Sequence, residues 1–211
     1  HGIKVYYYIS PQVWAWKQSR VHKIKKVVDN MYVILPFEKE FYKKFNYEVE
    51  YVGHPLLDEV ERFTAEDKID KIAFTQKHSL KDKPILAVLP GSRKQEVSRK
   101  LPIMLEAVKS FDSHQIVIAG APSLTAEYYQ QFIPGDIKII FNETYNLLSN
   151  TDIAVVTSGT ATLETALFEV PEVVCYKGSN ISYQIAKQLI KIKYISLVNL
   201  IMDKEVVLEL I

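Results

Sequence analysis

The segment IAVVTSGTATLETALF at residues 153–168 joins a short apolar run to a helical pattern through a turn of small residues. The apolar run is typical of a buried strand, and ATLETALF continues as a helix. A strand that passes directly into a helix in this way is the repeating element of a parallel α/β sheet.

The same alternation continues on both sides of this segment. Strands are predicted at residues 85–89, 115–119, 137–140, 153–156 and 173–176, and helices at residues 96–111, 124–132, 144–148 and 161–168. This rhythm predicts an α/β fold with a parallel sheet over residues 84–211.

Residues 1–56 form a second α/β stretch. Strands are predicted at residues 3–9, 31–35 and 47–52, and helices at residues 17–28 and 37–45. The first strand is apolar enough to be buried between neighbours, and no Met begins the chain, so we expect a fragment that lacks its natural N-terminal part. Residues 57–83 are highly charged, with one helix near residues 69–77, and are expected to connect the two domains.

The composition is that of an ordinary globular protein, with 48% hydrophobic and 24% charged residues. Lys and Arg number 26 against 25 Asp and Glu, so nucleic acid is not an expected partner. No apolar run approaches the roughly 18 residues of a membrane span. The one cysteine, Cys175, lies in an apolar stretch and is expected to be a buried core thiol.

In an open parallel sheet, ligands bind beyond the carboxyl ends of the strands. The loop Pro90, Gly91, Ser92, Arg93 follows the strand ILAVL. Glycine allows close approach to the backbone, serine offers a hydrogen bond, and arginine offers a permanent cation with a planar donor fork. These residues suit a diphosphate, although a solvated turn with a surface arginine is an equally open interpretation.

A second candidate anion site lies at Ser158, Gly159 and Thr160, where a strand passes into a helix. The start of a helix presents free N–H groups and a positive dipole end, and a small-residue turn lets phosphate oxygens approach. Glu164, one turn further on, is placed to accept hydrogen bonds from ribose hydroxyls. An acid near a helix start also suits the helix dipole, and that interpretation stays open.

Several common motifs are missing from the sequence. There is no GxGxxG for a dinucleotide, no GxxxxGK[ST] for a nucleoside triphosphate, and no DxD, HExxH or Cys/His cluster for a metal. A diphosphate neutralised by Arg93 and a helix terminus needs no metal ion, so neither a metal nor a cofactor is expected.

Six motifs, in order along essentially all 211 residues, resemble one family. They are YYISPQVWAWKQSRVHKIKK, LPFEKEFY, VGHPLLD, LPGSRKQEV, TSGTATLE and ISLVNLI. On these motifs the chain resembles the lipid-A-disaccharide synthases, glycosyltransferases of bacterial lipopolysaccharide assembly. SPxVWAW and LPFEKxFY are long and specific, whereas SGT followed by Glu is shared by several sugar-nucleotide enzymes. One departure is Val198, where many members have proline.

The resemblance implies a GT-B architecture of two Rossmann-like domains facing each other across a cleft. Residues 1–56 would be the remainder of the N-terminal, acceptor-side domain, residues 57–83 the connection, and residues 84–211 the C-terminal, UDP-sugar-binding domain. The family enzyme transfers 2,3-diacylglucosamine from its UDP derivative to 2,3-diacylglucosamine 1-phosphate, with inversion, and forms a β-1,6-linked disaccharide and UDP. A cytoplasmic enzyme is implied, with peripheral contact to the inner membrane as a further expectation.

Carried over to this chain, the resemblance assigns the UDP-sugar to Ser92, Arg93, Ser158, Gly159, Thr160 and Glu164. Asn199 in SLVN matches a functionally important asparagine of the family, so Arg93 and Asn199 are the candidate catalytic residues. A turn or cap role for Asn199 is equally open. The general base is expected in the N-terminal part outside this chain, so the chain alone is not expected to complete the reaction.

The tryptophans Trp14 and Trp16 precede a basic helix, and residues 1–50 carry nine Lys or Arg against five acidic residues. This pattern predicts contact with an anionic membrane or with acyl chains, while packing in a domain interface is an open alternative. Open strand edges near the start of the chain favour a homodimer.

Two other functions stay open. One is a different UDP-sugar enzyme of the same fold, such as a 2-epimerase, and the SPQVWAW motif argues against it. The other is a non-catalytic UDP-binding module.

Overall fold

The computed structural model describes residues 2–177 and 193–210 of the chain. These residues form two compact units, the first from residues 2–59 with residue 193 and the second from residues 60–177 and 194–210. Each unit is built around a parallel sheet. No helix within the described ranges is long and apolar enough to cross a membrane.

The first unit contains short versions of the elements that the sequence predicts. Its strands are β1 (Tyr6–Tyr8), β2 (Asn30–Val33) and β3 (Glu50–Tyr51), and its helices are α1 (Val13–Trp16), α2 (Val21–Val27) and α3 (Pro36–Lys43), with a 3-10 helix at Gln18–Arg20. The three strands pair in parallel in the order β1-β2-β3. Helix α3 begins at Pro36 because proline has the φ of a first helical residue and needs no N–H partner there.

The motifs SPQVWAW and LPFEKEFY meet in the interior of the first unit. A carboxylate oxygen of Glu38 accepts a hydrogen bond of 2.9 Å from the backbone N–H of Leu35. Burial raises the pKa of Glu38, and the hydrogen bonds from Leu35 and Ser10 oppose that rise. The Trp14 ring packs edge-on against Phe37, with 5.0 Å between the ring centroids. The two most specific motifs of the sequence therefore pack together and define this interior.

Strand β1 is exposed within this chain, so the described residues do not themselves bury the strand that is predicted at residues 3–9, and its burial stays a prediction. All three of its residues are exposed, and Ile3 just before it is 80% exposed. β1 pairs with β2 on one side, and no described residue pairs with its other edge. Apolar composition is enough to predict a strand, but burial depends on the neighbours that a strand has. The expected homodimer through open edges stays a prediction.

The second unit contains strands and helices in regular alternation. Its strands are β4 (Ile85–Leu89), β5 (Gln115–Gly120), β6 (Lys138–Phe141), β7 (Ile153–Thr157), β8 (Glu172–Cys175) and β9 (Leu208–Leu210). Its helices are α4 (Pro55–Glu66), which begins within the first unit, α5 (Lys71–Lys77), α6 (Lys94–Val108), α7 (Ala126–Gln130), α8 (Thr144–Ser149), α9 (Thr160–Leu167) and α10 (Leu197–Met202).

The sheet of the second unit has the strand order β6-β5-β4-β7-β8-β9, and every pairing among the described strands is parallel. Counted by appearance in this unit, this is the order 3-2-1-4-5-6 of the doubly wound Rossmann fold. All five residues of β4 are buried. The predicted fold class, a parallel Rossmann-like sheet, is confirmed.

The stretch predicted as a connection at residues 57–83 is mostly helical. Phe74 of α5 is fully buried in the core cluster that contains Ile85 and Ala87. Phe63 of α4 packs edge-on against Tyr145, with 5.4 Å between the ring centroids. Much of this stretch is thus part of the second unit, and its high charge belongs to the exposed faces of two helices.

A buried carboxylate stands at the first position of β8. Glu172 pairs with Ala154 of β7, and neither of its carboxylate oxygens has a hydrogen-bond partner within the described residues. Burial raises the pKa of Glu172 to about 8. An unpartnered carboxyl group in such a place stabilises nothing, because its burial favours the protonated form and opposes ionisation at neutral pH.

Candidate functional site

The two loops that the sequence singles out follow neighbouring strands. The loop of residues 90–93 follows β4 and the turn of residues 158–160 follows β7, and these strands pair in parallel with Leu89 opposite Val156. Paired strands lie about 4.8 Å apart. The strand order reverses between β4 and β7, and ligands of open α/β sheets bind beyond the strand ends at such a point. The structure therefore brings both loops to one edge of the sheet, at its switch point.

The first loop is folded around Glu96, in the first turn of α6. Gly91 has a φ of +112°, and a Cβ there would come within 2.6 Å of a Glu96 carboxylate oxygen, so glycine is required. The same oxygen accepts a hydrogen bond of 3.2 Å from the Ser92 N–H. The Arg93 guanidinium lies 3.5 Å from the other Glu96 oxygen, and its side chain is 83% exposed. Arg93 is thus held by one weak ion pair and is accessible to a ligand.

The second loop leads into the start of α9. Gly159 is the N-cap residue with a φ of +152°, and no side chain caps this helix end. A Cβ on Gly159 would meet no atom of the described residues within 4 Å. The Ser158 N–H donates to the carbonyl of Cys175, and its hydroxyl donates to the carbonyl of Ile195. Thr160 begins the helix, whose uncapped N–H groups suit an anion.

Glu164 lies one turn inside α9 and is half-buried. Burial raises its pKa, and no hydrogen bond or charge from the described residues opposes that rise. A carboxyl group in this situation gains from a hydrogen-bond donor, because a donated hydrogen bond favours the ionised form.

Asn199 is fully buried, and its side chain is satisfied by the chain itself. Its amide group donates to the Val207 carbonyl and to Glu209, both at 2.8 Å. Its amide oxygen accepts from the N–H groups of Val206 and Val207, at 2.7 and 3.0 Å. Asn199 therefore fastens α10 to the segment that leads into β9. The structure gives this residue a structural role, and its catalytic role stays a prediction.

The two tryptophans differ in their surroundings. Trp14 is buried against Phe37 in the first unit, whereas Trp16 is 54% exposed, with the Lys17 ammonium 5.4 Å from its ring centroid. The prediction of membrane or acyl-chain contact thus applies to Trp16, because the ring of Trp14 is engaged in the interior.

A buried lysine, Lys100, lies at this edge of the sheet and belongs to none of the motifs identified in the sequence. Lys100 of α6 donates a hydrogen bond to the hydroxyl of Thr157, the last residue of β7. Cys175, at the end of β8, is half-buried rather than fully buried, and the pKa of its thiol is raised by burial and lowered by Lys100. The sequence does contain a signal, since Lys100 lies on the same helical stripe as the buried residues Val97 and Leu101.

The fold and the site define a class. An open parallel sheet in Rossmann order, with an arginine loop and a helix N-terminus at the switch point, is the nucleotide-binding type of domain found in GT-B enzymes. Solved structures of UDP-GlcNAc 2-epimerases agree with this fold. The Neisseria meningitidis enzyme, bound to UDP-GlcNAc, has a TM-score of 0.54 and 16% identity, with 85% of this chain and 53% of that chain covered. The Methanocaldococcus jannaschii enzyme, in complex with UDP-GlcNAc and UDP, has a TM-score of 0.53 and 17% identity, with 85% and 56% covered.

The sequence relatives are more specific. The family model for lipid-A-disaccharide synthetase matches residues 1–211, so the chain belongs to this family of glycosyltransferases. Lipid-A-disaccharide synthases of Syntrophus aciditrophicus and Coxiella burnetii are 42% identical over 219 residues and 40% identical over 214 residues. Both alignments cover the whole chain, and the chain spans 56% of the length of each relative.

Proposed function

We propose that this chain provides the UDP-sugar site of a glycosyltransferase that makes the lipid A disaccharide. The reaction transfers 2,3-diacylglucosamine from its UDP derivative to the 6-hydroxyl of 2,3-diacylglucosamine 1-phosphate. The acceptor 6-hydroxyl oxygen forms the β-1,6 bond to the anomeric carbon with inversion, its proton passes to the general base expected outside this chain, and the bond from the anomeric carbon to the diphosphate breaks so that UDP leaves as an anion. The observation that supports this proposal most is the convergence of the loops at 90–93 and 158–160 on the switch point of the sheet.

The diphosphate is assigned to these two loops. Arg93 is exposed and can exchange its 3.5 Å contact with Glu96 for a phosphate, to which a guanidinium donates in a bidentate manner. Ser92 offers a hydroxyl beside it. Gly159 and Thr160 at the start of α9 are exposed and have no side-chain cap, so their N–H groups can donate to a ligand and add the positive end of the helix dipole. These donors would stabilise the negative charge that develops on the departing UDP.

Glu164 is assigned to the ribose. A half-buried carboxylate, its pKa raised by burial, is stabilised by two hydroxyl donors on one sugar. The two epimerase structures of similar fold contain UDP-GlcNAc, one of them together with UDP, which supports a nucleotide as the ligand. The names of the sequence relatives support the disaccharide synthase over a 2-epimerase.

Contact with a membrane is a further part of the proposal, because both sugar substrates carry acyl chains. The exposed Trp16 ring next to Lys17 has the amphipathic character of residues that lie at a lipid surface. Cosedimentation with vesicles containing anionic lipid, for the wild type and for Trp16→Ala, tests this part separately.

The nucleotide site is tested by calorimetric titration of the chain with UDP at low salt. Arg93→Ala is expected to weaken UDP binding about tenfold or more, since a charge-assisted bidentate contact to phosphate is lost. The matched control is Lys109→Ala, which removes an exposed cation paired with Glu106 at the opposite end of α6, and it should change the affinity less than about twofold. Absence of saturable binding, or equal losses in both variants, would refute the site.

The reaction is tested with the complete gene product and both lipid substrates. Formation of the disaccharide with release of UDP is the expected result. Interconversion of UDP-GlcNAc and its 2-epimer would instead support the alternative enzyme, and UDP binding without any turnover would support a non-catalytic module.

A further inference from the structure

Lys100 occupies a position where a charged group is rarely found. Its side chain lies on the buried stripe of α6, and the residue is 9% exposed. Its ammonium donates a hydrogen bond to the Thr157 hydroxyl, and Thr157 is itself buried. Lysines are seldom buried this deeply without a paired charge.

The neighbours of Lys100 do not neutralise it by direct contact. No carboxylate of the described residues lies within ion-pair distance of its ammonium. Glu96, one turn earlier on α6, acts on it from further away, and Cys175 faces it from β8. Burial lowers the pKa of Lys100, while Glu96 and Cys175 oppose this effect. The ammonium of Lys100 is thus a buried positive charge that nearby negative groups offset only weakly.

Lys100 lies close in the chain and in the fold to both loops that are assigned to the diphosphate. Thr157 immediately precedes the turn of residues 158–160, and Lys100 lies on the helix that follows the loop of residues 90–93. Glu96 also contacts that loop through Ser92 and Arg93. Lys100 is therefore hydrogen-bonded to the residue before one loop, and Glu96, which contacts the other loop, is one turn away on the same helix and acts on it electrostatically.

We propose that Lys100 is a positioning residue and buried counter-charge for the diphosphate, which acts through Thr157 without contacting the ligand. This inference rests on the proposed UDP site and goes beyond its directly contacting residues. An anion bound at the turn supplies the negative charge that the lysine lacks, and the attraction is strong because little water screens a buried charge. The same interaction holds the 158–160 turn in place for the ligand.

The test compares Lys100→Met with Lys100→Arg, with UDP and uridine as the two ligands. Lys100→Met keeps the length and apolar stem of the side chain but removes the charge. It is expected to weaken UDP binding about tenfold and uridine binding less than about twofold, because only UDP carries the diphosphate. Lys100→Arg keeps the charge and should recover most of the UDP affinity. Lys109→Met, at the exposed C-terminal end of α6, is the control for loss of a cation away from the site.

Unfolding by urea without ligand separates this role from a purely structural one. Removal of a buried charge should leave Lys100→Met at least as stable as the wild type, so weaker UDP binding would then not reflect damage to the fold. Equal losses for UDP and uridine, or wild-type affinity for UDP in Lys100→Met, would overturn the inference alone. Failure of the wild type to bind UDP would overturn it together with the proposed function.

Discussion

Replacing Glu172 with Met should stabilise the second unit, and the gain should grow as the pH rises. Glu172 is buried at the start of β8, its oxygens have no hydrogen-bond partner in the described part of the chain, and burial raises its pKa from 4.5 to about 8. Methionine has a similar length and is apolar, so it fills the same space without a charge to desolvate.

The magnitude follows from proton linkage. Below about pH 4.5 the carboxyl group is protonated in both the folded and the unfolded chain, and it adds no pH dependence. Between about 4.5 and 8 the unfolded chain has released a proton that the folded chain retains, so the free energy of unfolding falls by about 1.4 kcal/mol per pH unit. At pH 7 the accumulated loss is about 3 kcal/mol, and it levels off above about pH 8. Glu172→Met removes this loss.

The assay is urea unfolding at pH 5.5, 6.5 and 7.5, conditions that span the expected change. The two tryptophans, Trp14 and Trp16, both lie in the first unit, so their fluorescence follows that unit. Far-UV circular dichroism also reports the second unit, where Glu172 lies. The first-unit signal is therefore an internal reference within each sample.

The control is Glu61→Met, at an exposed position on α4. It should leave both stability and its pH dependence nearly unchanged, within about 0.5 kcal/mol. If the free energies of unfolding of the wild type and Glu172→Met run parallel with pH, or if the variant is less stable at pH 7.5, the reasoning from burial is refuted.

Three further substitutions test the second unit. Asn199→Ala should lower the free energy of unfolding by about 2 kcal/mol in urea titrations, because it removes four side-chain hydrogen bonds and leaves partly buried backbone groups without partners; a change below about 0.5 kcal/mol would argue against their structural role. Phe74→Ala should cost about 4 kcal/mol by the same assay, since this ring is fully buried in the core, and an effect typical of a surface residue would contradict the placement of α5. Gly91→Ala should cost about 2 kcal/mol and also weaken UDP binding in calorimetry, because the new Cβ would collide with Glu96; unchanged values in both measurements would count against the loop geometry.

The sequence predicts the α/β architecture of the second unit well because periodicity and turn residues are local signals. The predicted strands at 85–89 and 153–156 agree with β4 and β7 to within a residue. The strand order does not follow from such local signals, yet it decides the site. The parallel direction of the strands puts Arg93 and Gly159 at the same edge of the sheet, and the pairing of β4 with β7 makes their loops neighbours.

Burial is the property that the sequence predicts least well. Residues 3–9 are exposed within this chain, where β1 has a described partner on one side only, so their predicted burial depends on neighbours that the described residues do not supply. Phe74, inside a stretch whose high charge predicts a connection, is fully buried. In both cases the local composition is interpreted correctly as a strand or a helix, and the tertiary neighbours determine how much of it is covered.

Glu172 and Lys100, two buried ionisable residues of the second unit, show that the consequence of burial depends on position in the sheet. Glu172 begins β8 and Cys175 ends it, about 10 Å further along the strand, where Cys175 faces Lys100. Glu172 therefore lies toward the end of the sheet away from the loops, where no ligand is expected, and its burial only lowers stability. Lys100 lies at the carboxyl ends of the strands, where an anion is expected to bind. Burial of Glu172 at the start of β8 only costs stability. Burial of Lys100, near the end of β8, strengthens its attraction for a bound anion. Glu172→Met and Lys100→Met are therefore both expected to be at least as stable as the wild type, but only Lys100→Met should lose affinity for UDP and keep its affinity for uridine.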